Sequence, residues 1–369
     1  MQKFRLTLLT LLLLLLAGGP LAMAQSAEET FGYEEGRIVG IDEAAFLATV
    51  ELNDGRVIEA DLGQPLPNDD VGPQFPDFEV GDRVETYWYL TPAGEAAWAV
   101  TDWVRRPALW WLAGLFLVAT VAIARFKGLR AFAATVVGLV IVVMYIVPAI
   151  LGGANPVVVS LLGTGGILLL AIFFVHGINW STTAAVIGTF AAIVVTMVLG
   201  IIWTDLAHLT GFGTDDAMMI NYHAGEVNMR GLLLAGMLIG ALGALTDVTI
   251  VQASVVRELA HTNPEMGYRQ LYAHGMNVGN DHIGSLVNTL VLAYAGTALP
   301  LLMLLHINDA GFLQTINMEI VATEVVHTLV GSLGLILGVP LTTLIAALLF
   351  RGDRLKISEG ELDHAHHHH

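Results

Sequence analysis

The stretch Gly231 to Leu305 reads GLLLAGMLIGALGALTDVTIVQASVVRELA and then HTNPEMGYRQLYAHGMNVGNDHIGSLVNTLVLAYAGTALPLLMLL. It consists of two long apolar segments joined by a polar bend, and its apolar parts still hold Asp247, Gln252, Asn277, Asn280, Asp281, His282 and Asn288. An ionisable group inside a membrane span costs roughly 2.5–3.5 kcal/mol on insertion scales, so each such residue needs a partner, a cavity or the bundle interior. The stretch therefore reads as a membrane domain with a polar seam. Asp281, Ser285 and Asn288 recur at i, i+4 and i+7, one stripe about 10 Å long on a helix. Asn263-Pro264 has the form of a helix start. A short interfacial helix over 264–274 is expected, followed by non-helical backbone over 275–281, which is tolerated at membrane depth only where it lines a cavity or is buried.

Outward from this stretch the pattern continues. Of 369 residues 55% are hydrophobic and only 13% charged, too apolar for a soluble enzyme of this size. Seven spans are expected: 108–124, 131–151, 157–175, 183–203, 231–251, 283–305 and 320–350, the last long enough to tilt or break at Pro340. Gly236 with Gly240, and Gly334 with Gly338, form two GxxxG pairs, for which helix packing is a sufficient role. Glu324 and His327 lie near the start of the last span, in the opposite half of the bilayer from Asp247 and Asp281. They form an outer-half polar pair.

Ahead of the spans, residues 1–24 carry Lys3, Arg5, a leucine-rich run and Ala22-Met23-Ala24, the form of a secretory signal cut after Ala24, with an uncleaved first span as the alternative. Residues 25–104 change character to short β-like runs divided by turn residues, among them Asn53-Asp54-Gly55 as a hairpin turn. Five strands over 36–41, 46–52, 56–61, 83–90 and 96–103 predict a small OB-like or SH3-like barrel outside the membrane. From Gln25 to Arg106 there are 18 acids against 5 bases, hence −13 of the chain's −17. That balance excludes nucleic acid as a partner and suits a solvated exported surface. The chain divides into leader (1–24), barrel (25–104), seven-span domain (105–351) and a cytoplasmic His-ended tail (352–369).

Lys127, Arg130, Arg257, Arg269 and Arg351 fall on the inner side if residue 25 starts outside, which places the chain in a cytoplasmic or inner membrane with the barrel external and the C-terminus cytoplasmic. Arg105 and Arg106 run against that bias. There is no cysteine, so disulfides and thiolate chemistry are excluded. GxSxG, Walker and HExxH motifs are absent, and neither enzymatic activity nor a cofactor is expected. His208, Asp215, Asp216, His223 and Glu226 share one outer loop, but their spacing fits no metal-ligand frame.

Several polar motifs inside apolar sequence carry a likeness. Val104-Arg105-Arg106-Pro107-Ala108, Lys127-Gly128-Leu129-Arg130, the run from Gly240 to Thr249, Gln252-Ala253-Ser254, Gly279-Asn280-Asp281-His282-Ile283, Ala293-Tyr294-Ala295-Gly296 and Leu329-Val330-Gly331-Ser332 resemble the YibE/F family of bacterial multi-pass membrane proteins. The resemblance covers about residues 78–350 and implies the multi-span topology. It carries no chemistry of its own.

From the residues, the expected function is a permease or ion-coupled transporter. Asp247 and Asp281 would bind or relay a cation or proton, and Gln252, Asn277, Asn280, His282 and Asn288 would belong to the route of a small ion or metabolite. The alternative is an envelope binding or assembly protein whose external barrel engages a protein partner while its spans anchor it in the lipid bilayer. Intramembrane hydrolysis by the two aspartates has no supporting spacing.

Overall fold

A computed structural model of the chain describes residues 31–63, 78–92, 94–225, 227–307 and 311–351. The leader, the whole loop Gln64–Pro76 and the tail lie outside them. The chain divides at Ala122/Ile123 into two compact units.

The first unit contains β1 (Phe31–Asp42), β2 (Leu47–Leu52), β3 (Val57–Asp61), β4 (Arg83–Leu90) and β5 (Ala96–Trp103), closed into a barrel in the order β1-β2-β3-β5-β4. All neighbours are antiparallel except β3 and β5. This Greek-key order follows the OB alternative. Alternate residues point inward, and Ile38, Ala48, Val50, Leu52, Ala60 and Val84 are buried together. Between β2 and β3 the expected turn forms: Gly55 has φ +88°, and the Asp54 carboxylate accepts the Arg56 backbone N–H at 3.0 Å. Strand β1 starts at Phe31, earlier than its alternation indicates, because residues 31–37 pair with β4. At the barrel's end the Trp103 indole N–H donates to Asp82 at 2.9 Å, and the same carboxylate oxygen accepts the Glu79 backbone N–H at 3.0 Å.

Helix α1 (Arg106–Ile141) begins two residues after β5 and is interrupted at Arg125, whose φ of 51° and ψ of −134° are not helical. A π turn (Val142–Ile146) and α2 (Val147–Leu151) follow. Then come α3 (Pro156–His176), α4 (Trp180–Leu206), α5 (Asp215–Ala224), α6 (Met229–Thr262), α7 (Tyr268–Thr297), α8 (Leu299–Ile307), α9 (Phe312–Asn317) and α10 (Glu319–Phe350). Among the described residues five helical stretches are long and apolar enough to cross a membrane, six if α7 and α8, bent by 66°, make one span. Five or six candidate spans are therefore supported, without confirming the expected seven.

The second unit's core lies among α3, α4, α6, α7 and α10 and is built on small residues. A Cβ on Gly334 would run into Thr196, one on Gly188 into Thr342, and one on Gly338 would stand 3.2 Å from the Ala192 Cβ. Gly334 and Gly338 therefore seat α10 against α4, the role GxxxG pairs serve. Helix α10 continues through Pro340 without a break.

The polar bend departs from expectation. No interfacial helix spans 264–274 and no irregular backbone spans 275–281; α7 is continuous from Tyr268 through both. Asn263 ends α6, its backbone N–H bonded to the Leu259 carbonyl, and Pro264 occupies the following turn as prolines after helix ends do. Gly275 and Gly279 do not break α7, because they are where it meets its neighbours: a Cβ on Gly279 would lie 2.6 Å from Val339 Cγ1, and one on Gly275 2.9 Å from Thr343 Cγ2. The chain bends at Ala298 instead. Helix α5, within the loop over 204–230, was not indicated by hydropathy; it is short, and Thr214 caps it.

Two outcomes test this packing. Overpacking a close helix contact costs about 1–3 kcal/mol, so Gly279→Val and Gly334→Val should each lower the thermal unfolding midpoint in detergent, while Gly243→Ala, which meets nothing within 4 Å, should leave it unmoved. In the barrel, the Glu79 backbone N–H and then the Trp103 indole hold the Asp82 carboxyl below the usual carboxylate range. A depressed carboxyl pKa contributes stability above the unfolded pKa and loses it as pH falls through the folded one. Asp82→Asn should weaken the barrel at pH 7 in urea unfolding followed by near-ultraviolet circular dichroism, with the gap to wild type closing as pH falls below the ordinary carboxylate range.

Candidate functional site

The polar residues of the membrane domain separate into a buried set and an open set. Gln252 is fully buried where α6, α7 and α10 meet. Its amide N–H group donates to the Gly275 carbonyl at 2.8 Å and to Thr343 Oγ1 at 2.7 Å. One helix away, the hydroxyls of Thr189 and Thr249 bond across α4 and α6. These groups tie helices together. The Gln252 side-chain oxygen, buried without a partner among the described residues, is the one unsettled atom of the junction.

The open set follows one face of α6. Gly236, Gly240, Gly243, Asp247, Val251 and Ser254 recur at spacings of 3 and 4 and are all exposed, so they form a single strip about 27 Å long, close to the ~30 Å thickness of a hydrocarbon core. Gly236 and Gly243 have open space where a side chain would be. At Gly240 the strip is bordered by Tyr294 and His327, whose Oη and Nε2 lie 3.2 Å apart. Two turns further, Asp247 lies within electrostatic reach of His176 at the end of α3. Among the described residues Asp247 makes no hydrogen bond or ion pair.

Other predicted residues lie elsewhere. Asn277, Asn280, Asp281, Ser285 and Asn288 are exposed on α7, on the side away from Gly275 and Gly279 and therefore away from α6 and α10. His282 is half-buried beside them. The structure does not bring Asp281 to Asp247. Glu324 and His327 are both half-buried, but the partner of His327 is Tyr294. In the loop over 204–230, no three His, Asp or Glu among the described residues gather into a metal site; Glu226 lies outside those residues. Sequence reasoning missed His176 and Tyr294. Tyr294 was visible as a hydroxyl in an apolar run, whereas His176 ends an apolar span with no periodic signal and gains meaning only from α6 beside it.

An acid and a histidine on adjoining apolar helices, next to a strip with a backbone floor, define a helical membrane protein with polar groups kept at the level of its spans. The chain belongs to the YibE/F-like protein family, whose pattern matches residues 112–352, well over half its length. No curated protein and no solved structure matches it.

Because the chain has no cysteine, single cysteines report this surface without background. Gly236→Cys, Gly243→Cys and Asp247→Cys are expected to react with a charged, water-soluble thiol reagent in membranes, and Ala241→Cys and Ala253→Cys, which are buried, to resist it. Unreactive cysteines along the strip would mean that lipid covers it.

Proposed function

We propose that this protein is a permease or ion-coupled transporter, with Asp247 and His176 as its cation- or proton-handling pair and the open face of α6 as its route. The observation that carries the reading is Asp247 itself, an exposed carboxylate on a membrane helix, with His176 at the end of the adjoining helix and the open glycines Gly236 and Gly243 leading up to it. A carboxylate within a span needs a partner, a cavity or the bundle interior, and Asp247, exposed and without a hydrogen bond or ion pair among the described residues, is left with water or a solute. Tyr294 and His327 border the strip at Gly240, about 10 Å further along α6, so polar groups mark both halves of the path.

The topology is proposed on the same footing. Arg106 to Leu151 is 46 residues long, about 69 Å if helical throughout and more than twice a hydrocarbon core. Counting two crossings on either side of Arg125, and one for the bent pair α7 and α8, brings five to seven. Lys127, Arg130, Arg257 and Arg269 then share the cytoplasmic side, and the barrel is external. Arg105 and Arg106 cease to be exceptions, since Arg105 pairs with Asp102 and Arg106 with Glu35 and Glu85.

A second reading, an envelope assembly protein, is favoured by an aromatic ladder on the barrel. Phe31, Tyr33, Tyr87 and Tyr89 have ring centroids 5.1–6.0 Å apart, and Phe31 and Tyr33 are 56% and 61% exposed. Such rings suit a partner surface. A photoreactive residue at Tyr33 gives a discrete adduct in cells under this reading.

In liposomes holding a pH-sensitive dye, the wild-type protein is expected to admit protons under an imposed potential, and Asp247→Asn, which removes the titratable group, to abolish most of that rate. Gly243→Leu should block the strip without unfolding the protein. Equal rates for wild type and Asp247→Asn would end the assignment.

A further inference from the structure

The geometry points to an anion-binding site, for a phosphate-type oxyanion, in a cavity of about 200 Å³ at the end of the bundle where α3 finishes and α4 begins. The site goes beyond the transport reading and stands whether or not Asp247 carries an ion.

Its wall holds Lys127, His176 and Arg257, from three separate parts of the chain, and no carboxylate. Among the described residues neither Lys127 nor Arg257 takes part in an ion pair; the seven found lie elsewhere. Two uncompensated cations facing one hollow repel each other, and the arrangement is stable when an anion lies between them.

The floor is the first turn of α4, a 27-residue helix. Asn179 and Thr182 close a capping box, the Thr182 N–H donating to Asn179 Oδ1 at 3.0 Å and the Asn179 N–H to Thr182 Oγ1 at 2.9 Å. The box fixes the turn, so the Ser181 backbone N–H, one of the first-turn donors without an intrahelical acceptor, stays available, and the helix dipole adds positive potential there. Ser181 also lines the cavity. It is 6% exposed, and its hydroxyl has no hydrogen-bond partner among the described residues. The hydroxyl opens on the hollow, and a bound oxyanion would accept a hydrogen bond from it.

The negative end of α3, which reaches the same level, is already answered. The His176 carbonyl accepts from Asn179 Nδ2 at 3.4 Å and the Gly177 carbonyl from Thr182 Oγ1 at 2.9 Å. Asp247 is the acid within electrostatic reach of His176. It lies ten residues before Arg257 on α6, about 15 Å along the axis, and does not line the cavity.

The ligand is either a free oxyanion or the phosphate of an anionic lipid headgroup, since basic hollows between membrane helices take both. Two measurements on the full-length protein in dodecyl maltoside, which carries no phosphate, separate them: calorimetric titration with inorganic phosphate, and native mass spectrometry after incubation with phosphatidylglycerol. Saturable phosphate binding assigns a soluble oxyanion, and lipid retained without phosphate binding assigns a headgroup. In either case the double variant Lys127→Gln, Arg257→Gln is expected to weaken binding about tenfold or more. Ser181→Ala, which keeps both charges and the capping box, is expected to weaken it severalfold, and Arg257→Lys to retain most of it. Should the double variant unfold, Ser181→Ala alone decides. Failure to bind both probes, or binding that Ser181→Ala leaves unchanged, overturns the site.

Discussion

The membrane domain depends on one buried amide. Gln252 donates to a backbone carbonyl of α7 and a hydroxyl of α10 from its place on α6, so three helices are held in register by one side chain. Bonds of this kind between membrane helices measure about 0.6 kcal/mol on average and at most about 1.7. Alone that does not hold a bundle together. What it specifies is rotation: with Gln252 turned inward, Asp247, five residues earlier on the same helix, comes to lie near the opposite face. The open strip of α6 follows from the closed one.

Close approach supplies the attraction that the amide lacks. Lipid offers apolar side chains as good a surroundings as another helix does, so contact has to come from backbones meeting. Helix α10 achieves it against α4 through Gly334 and Gly338 and receives α7 at Gly279. The two GxxxG pairs therefore differ. One is filled by neighbours, and the other, Gly236 with Gly240, lies along the open strip.

Legibility in the sequence followed the range of the forces involved. Strands β4 and β5 end where alternation and turn residues put them, because both signals are local. The apolar spans were legible for the same reason, since length and composition are properties of one segment. The bend from Asn263 to Asp281 was not. Its glycines and polar residues have the local character of broken backbone, but the facts that make it a helix, Val339 and Thr343 waiting on α10, are sixty residues and more away. The seam divided for a related reason: spacing shows which residues share a face but not what that face meets.

The junction of barrel and first helix has a mechanical meaning. Only Val104 and Arg105 separate β5 from α1, and Arg105 and Arg106 are both ion-paired to the barrel's acids. With so short a connection, a load applied to the barrel's outer surface arrives at the start of α1 as torque, and the acidic domain acts as a handle on the first turn of that helix.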